Sequence, residues 1–164
     1  MTAPPLLQIS RTRDGAGALL DAGLVQAARD SQLFRVDPDL GISLPSSSQN
    51  TASPIYVVDS ATPALYTYYV LLSSTARVLL STFLSRGAQN EQVQYLTRTF
   101  LSDYRPNMVG VFKKFTGVNG KVDEKLRPLV AESVRCYTGL VTLSEFVDFE
   151  DQAALHDTQF NGFS

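Results

Sequence analysis

The stretch TPALYTYYVLLSSTARVLLSTFLSRG, residues 62–87, decides the fold. Leu65, Tyr69, Leu72, Ala76, Leu79 and Phe83 recur at alternating four- and three-residue steps, the spacing that stacks side chains along one face of an α-helix. Leu71, Val78, Leu80 and Leu84 add apolar surface on other faces, and a helix apolar most of the way round is covered from more than one side. Thr62 suits an N-cap with Pro63 at the first helical position, where its missing N–H is not needed. At the other end Arg86 gives a cationic last turn and Gly87 a glycine stop. The spacing therefore predicts a central, buried helix.

A membrane-spanning reading of this segment fails on its polar content. Residues 60–76 carry no formal charge, but Ser73, Ser74, Thr75, Arg77, Ser81 and Thr82 interrupt the apolar run. Placing an arginine at the bilayer centre costs about 2.5 kcal/mol even on the most lenient scale.

Working outward to the N-terminus, Pro4 and Pro5 suit the first turn of a short helix ending near Thr12, and Asp14-Gly15-Ala16-Gly17 reads as a break. Short helices are expected over 18–22 and 24–31, with Leu19, Leu20, Leu24, Val25, Ala28 and Leu33 inward. Residues 35–61 have a different composition, with Pro38, Pro45 and Pro54 and the polar run SSSQNT at 46–51. They are expected to form a long, partly disordered loop, pinned by apolar clusters at both ends and mobile over 46–52. Ser53-Pro54 and Thr62-Pro63 match the two-residue proline-directed phosphorylation pattern, a signal with little specificity.

Toward the C-terminus a helix is expected over 89–105, with Val93, Leu96, Phe100, Leu101 and Tyr104 inward. Pro106 forces a kink or restart, after which Met108, Val111, Phe112 and Phe115 mark a further helix that Gly117 ends. The last helix is expected from Glu124 to about Asp148, capped by Asp123. One face holds Leu126, Val130, Val134, Tyr137, Val141 and Ser144, another Leu129, Leu140, Leu143 and Phe146; residues 151–164 read as a fraying tail. The class is all-α. Helical pairs over 4–31, 63–105 and 106–147 suit an irregular stacked array, with a compact bundle as the alternative.

Composition narrows the function classes. The 164 residues carry 44% hydrophobic but only 18% charged side chains, the profile of a folded chain with apolar surface to spare for partners. A net charge of −2 argues against a generally basic nucleic-acid surface. Arg98, Arg105, Lys113, Lys114 and Lys121 form the one local basic concentration, without an interleaved aromatic module. The single cysteine, Cys136, excludes an internal disulfide, and the N-terminus lacks a signal-peptide pattern, so the chain reads as intracellular. A metal site is not expected from one cysteine and one histidine, His156. Cys136 reads as a small packed side chain. Asp148, Glu150 and Asp151 read as a solvated helix end, and Gly117-x-x-Gly120-Lys121 as a turn lacking the full phosphate-loop spacing. Neither catalytic residues nor cofactor-binding residues are found.

Three segments carry a family resemblance: LLDAGLVQAARDSQLFRVDPDLGI (19–42), ALYTYYVLLSSTARVLLSTFLSRGAQN (64–90) and TFLSDYRPNMVGVFKKFTG (99–117). Together they resemble the C-terminal tail of the nucleoporin 192 and nucleoporin 205 family, inner-ring scaffolds of the nuclear pore; the tail of the paralogous nucleoporin 188 is related. The resemblance implies that residues 1–164 are one α-helical segment at the end of a longer HEAT/armadillo-like α-solenoid. It further implies a nuclear-envelope location and a non-enzymatic adaptor, monomeric in isolation, that takes no cofactor, no nucleic acid and no direct insertion into the membrane. Its implied partner is a short linear segment of a linker nucleoporin of the nucleoporin 93 type. Leu143, Phe146 and Phe149, within two turns of the last helix, are the partner-binding residues proposed from sequence, with Phe146 unable to point inward alongside Val134, Tyr137 and Val141. The competing reading is a self-contained helical protein-interaction domain.

Overall fold

The computed structural model describes residues 4–36, 38, 63–118 and 120–160; the side chains of Pro63 and of 146–160 are outside that description. Every regular element among the described residues is helical. In chain order they are α1 (Pro5–Ser10), α2 (Arg13–Asp21), α3 (Leu24–Asp30), a 3-10 turn (Leu33–Arg35), α4 (Pro63–Arg86), α5 (Glu91–Asp103), α6 (Arg105–Thr116) and α7 (Arg127–Phe160). The loop expected over 35–61, its mobile centre at 46–52 and the N-cap role of Thr62 fall almost wholly outside the described residues.

α4 is the hub. It packs most extensively on α7 and then on α2 and α1, while α7 is further covered by α5 and α6. The expected stripe is the buried one: Leu65, Tyr69, Leu72, Ala76, Leu79 and Phe83 are all 7% exposed or less. The other faces are only partly covered. Val78 is buried and Leu80 half-buried, but Leu71 and Leu84 are 49% and 56% exposed, so α4 is covered from more than one side, as expected, but not all round. Gly87 closes α4 at φ 101°, donating to the Phe83 and Leu84 carbonyls, a left-handed stop that favours glycine.

The N-terminal helices differ from expectation at Asp14-Gly15-Ala16-Gly17, which lies inside α2. Thr12 caps that helix, its Oγ1 accepting from the Gly15 N–H at 3.0 Å. The glycine serves close approach: a Cβ on Gly15 would sit 2.1 Å from the Ile9 carbonyl oxygen of α1. Ala16 is fully buried, and the Ser10 hydroxyl of α1 donates its one proton to Leu7 O and accepts from the Ser81 hydroxyl of α4, each at 2.8 Å. Small residues here let two short helices lie tightly on the hub.

α5 begins after Asn90, whose side chain accepts from the Val93 N–H. The break foreseen at Pro106 falls at Tyr104, and Pro106 occupies the first turn of α6. α6 ends at Gly117 (φ 69°) as expected, and of the four apolar residues that mark it Phe115 is 50% exposed. Asp123 caps a single turn, its Oδ1 accepting from the Lys125 N–H, and α7 starts at Arg127 with Pro128 in its first turn. α7 then continues helically to Phe160, past the end expected near Asp148 and into the segment read as a fraying tail; residues 161–164 lie outside the description.

The core is closed by aromatic contacts. Phe34 meets Phe100 edge-on at 4.9 Å between ring centroids, and Phe100 meets Tyr104 at 4.8 Å. A buried polar relay crosses this region. Tyr68 Oη donates to Leu33 O at 2.9 Å and accepts from Asn107 Nδ2 at 2.8 Å. The same amide nitrogen donates to Val36 O at 2.6 Å, and Asn107 Oδ1 accepts from Tyr137 Oη. Because Tyr68 spends its only proton on Leu33, Asn107 must present its nitrogen to Tyr68, which leaves its oxygen for Tyr137. One side chain from α6 thus ties α4, α7 and the end of the 3-10 turn together.

Candidate functional site

No cluster of His, Cys, Asp and Glu suited to a metal occurs among the described residues. Nor, among them, is any helix long and apolar enough to cross a membrane.

The distal part of α7 carries the residues proposed from sequence. Leu143 is 7% exposed and belongs to the core, so its side chain holds α7 onto the body. Phe146 and Phe149 lie on the helix beyond it, and their side chains are outside the described residues, as is that of His156. The inward seam of α7 and of the turn before it draws on both of the faces read from the sequence. Leu126, Val130, Ser133, Cys136, Tyr137, Leu140 and Leu143 are buried, whereas Val134 and Val141 are only half-buried. Ser133 is satisfied by donating to Leu129 O at 2.9 Å, so a polar residue sits in the seam at little cost. Gly139 marks a close approach to α4: a Cβ there would stand 2.8 Å from Leu80 Cδ2.

A second surface lies where α1, α4 and α7 meet. Leu80, Leu84 and Cys136 line an open groove of about 360 Å³, with Arg11, Arg77, Arg135 and Glu132 among its other walls. Glu132 is held from both sides, Oε1 by Arg77 Nε at 3.1 Å and Oε2 by Arg135 Nη1 at 3.0 Å. Burial pushes the Cys136 thiol up to about 12, with the Glu132 charge adding to the shift, so at neutral pH it stays protonated and is not an activated nucleophile. That agrees with its reading as a packed side chain.

A third surface is the outer end of α6. Phe115 and Val118 are 50% and 72% exposed beside Lys113 and Lys121, and the Gly117–Gly120 segment is a turn closed by a 3.1 Å Gly120 N–H to Gly117 O bond. On α3, Arg29 lies 5.6 Å from the Tyr104 ring centroid and pairs with Asp103 of α5, whose hydrogen bond raises the already high pKa of Arg29 and fastens α3 to α5. Of these features, the groove, the Asn107 relay and the α2 glycines had no apolar period to announce them. Only the pairing of Arg77 with an acidic residue on another helix would have hinted at the groove, and such pairing is invisible in one sequence.

Comparison with known proteins gives this all-helical surface a context. The family described as nuclear pore complex scaffold, nucleoporins 186/192/205, matches residues 6–144, which takes in every element from α1 to the last described core side chain of α7. The chain is also 38% identical over 117 residues to nucleoporin NUP192 of Chaetomium thermophilum, a match covering 71% of this chain and 6% of that protein. The chain thus spans a small part of the length of the curated relative it matches. It belongs to the nucleoporin 186/192/205 family of nuclear pore complex scaffolds, and its place is the nuclear pore complex at the nuclear envelope.

Proposed function

We propose that this chain is the terminal piece of an irregular HEAT/armadillo-like α-solenoid, a non-enzymatic adaptor of the pore's inner ring. Its distal α7 binds a short linear segment of a linker nucleoporin of the nucleoporin 93 type. The observation that carries the reading is the extension of α7 for roughly five turns beyond Leu143, its last described core residue, in a chain whose family scaffolds the pore. A helix that continues beyond Leu143 gives a partner a further face to pack on, and aromatic residues such as Phe146 and Phe149 are the side chains that anchor helix-in-groove contacts.

The test is calorimetric titration of the chain with a synthetic segment of a nucleoporin 93-type linker, alongside Phe146→Glu. Loss of an aromatic anchor costs about 2 kcal/mol or more, roughly a 30-fold weakening. The expected result is binding by the parent chain, loss of it in Phe146→Glu, and superimposable melting curves. Undiminished binding by the variant, or its unfolding, overturns the assignment.

A further inference from the structure

We infer that the groove between α1, α4 and α7 is a second docking site, taking an acidic helical segment of a partner protein that carries an apolar side chain among its carboxylates. The site does not rest on the linker reading, because it is built from α1, the C-terminal half of α4 and the first half of α7, well before Phe146. Its apolar wall is a feature a solvated surface does not need: Leu84 stands 56% exposed next to half-buried Leu80, with the uncharged Cys136 thiol beside them. Leu80 lies against Gly139 of α7, so α7 backs this part of the wall. The rim sets the sign of the occupant. Three arginines face one glutamate, an excess of two positive charges on a chain whose net charge is −2. Glu132 is neutralised from both sides, and each guanidinium gives it one of five donors, which among the described residues leaves donors on Arg77 and Arg135 for incoming carboxylates. Arg11 contributes the third cation from α1. A concave aliphatic surface between helices, rimmed by arginine, fits an amphipathic helix with leucine on one face and glutamate on the other. The charge excess is too small for a nucleic-acid backbone.

The experiment measures fluorescence anisotropy of a fluorescein-labelled peptide with glutamate and leucine at helical spacing, against an analogue with lysine in place of glutamate. The parent chain is expected to bind the acidic peptide, more weakly as salt rises, and not the basic one. Arg135→Glu and Leu84→Asp, both at exposed positions, are each expected to weaken binding at least about tenfold. Lys113→Glu, on α6 and outside the groove, should leave it unchanged. Equal binding of the two peptides, no binding of the acidic peptide, or parent-like affinity in Arg135→Glu and Leu84→Asp overturns the inference. Because Phe146→Glu is expected to bind this peptide normally, failure here is distinguishable from failure of the linker site.

Discussion

Replacing Asn107 by alanine is expected to be among the most damaging single changes outside the apolar core. Asn107 is 1% exposed and makes three hydrogen bonds, to Val36 O, Tyr68 Oη and Tyr137 Oη. Their loss is unequal. Tyr68 keeps Leu33 O as its acceptor, whereas Tyr137 is fully buried and its hydroxyl is left without an acceptor. Stranding one buried polar group costs about 1–3 kcal/mol, and the small void left by the carboxamide adds to that, so the expected loss is about 2–4 kcal/mol. This is a large share of the roughly 5–15 kcal/mol that stabilises a domain of this kind. Urea unfolding followed by circular dichroism reads it directly. Tyr137→Phe alone strands the Asn107 oxygen instead, while Asn107→Leu combined with Tyr137→Phe removes both partners and should recover much of the loss. Strictly additive effects, or an Asn107→Ala variant within about 0.5 kcal/mol of the parent, would refute the relay as a structural tie.

Three other outcomes follow from the fold. Leu72→Ala and Leu79→Ala, both at fully buried positions on α4, should each cost about 2–5 kcal/mol in the same unfolding assay, and unchanged midpoints would mean α4 is not the hub. Gly15→Ala should destabilise by about 1–3 kcal/mol even though alanine favours helix by about 1 kcal/mol, because its Cβ meets the Ile9 carbonyl; a gain in melting temperature would contradict that close approach. Stability should fall as pH rises above 9. The Cys136 thiol is raised from 9.0 to about 12 in the fold, so between those values the folded chain holds a proton that the unfolded chain has lost. The slope from one such group reaches about 1.4 kcal/mol per pH unit. Tyr137, raised well above 10.0 by burial, adds a second contribution at higher pH. Urea titrations at about pH 8 and about pH 10.5 check this, and Cys136→Ala should flatten the first part of the decline; a flat profile in the parent would count against the burial of both groups.

The central helix was legible because its main seam is apolar and regular: six residues at helical spacing all proved buried. α7 was less legible for a physical reason. It is covered by α4, α5 and α6, so its seam is chosen by where those helices sit, and the seam includes Ser133 and Cys136, which send no strong apolar signal. Gly15 and Gly17 looked like a break because glycine lowers helix propensity by about 1 kcal/mol; contact with α1 and with Arg86 of α4 is what makes them worth keeping inside α2. Asn107 follows a proline where a kink or restart is expected, and only the fold brings it to Tyr68 and Tyr137. On the functional side, Leu143 could not be told from Phe146 and Phe149 by spacing alone, because two apolar faces on one helix leave the inward face undetermined until its neighbours are placed.

The most direct test of the scaffold account is a quantitative pull-down from nuclear extract with this chain as bait, set beside a Phe146→Glu bait and read by mass spectrometry. The account predicts that the parent chain retains a nucleoporin 93-type linker in near-stoichiometric amount and that the variant, equally folded by circular dichroism, does not. Recovery of no linker nucleoporin, or equal recovery on both baits, would contradict it.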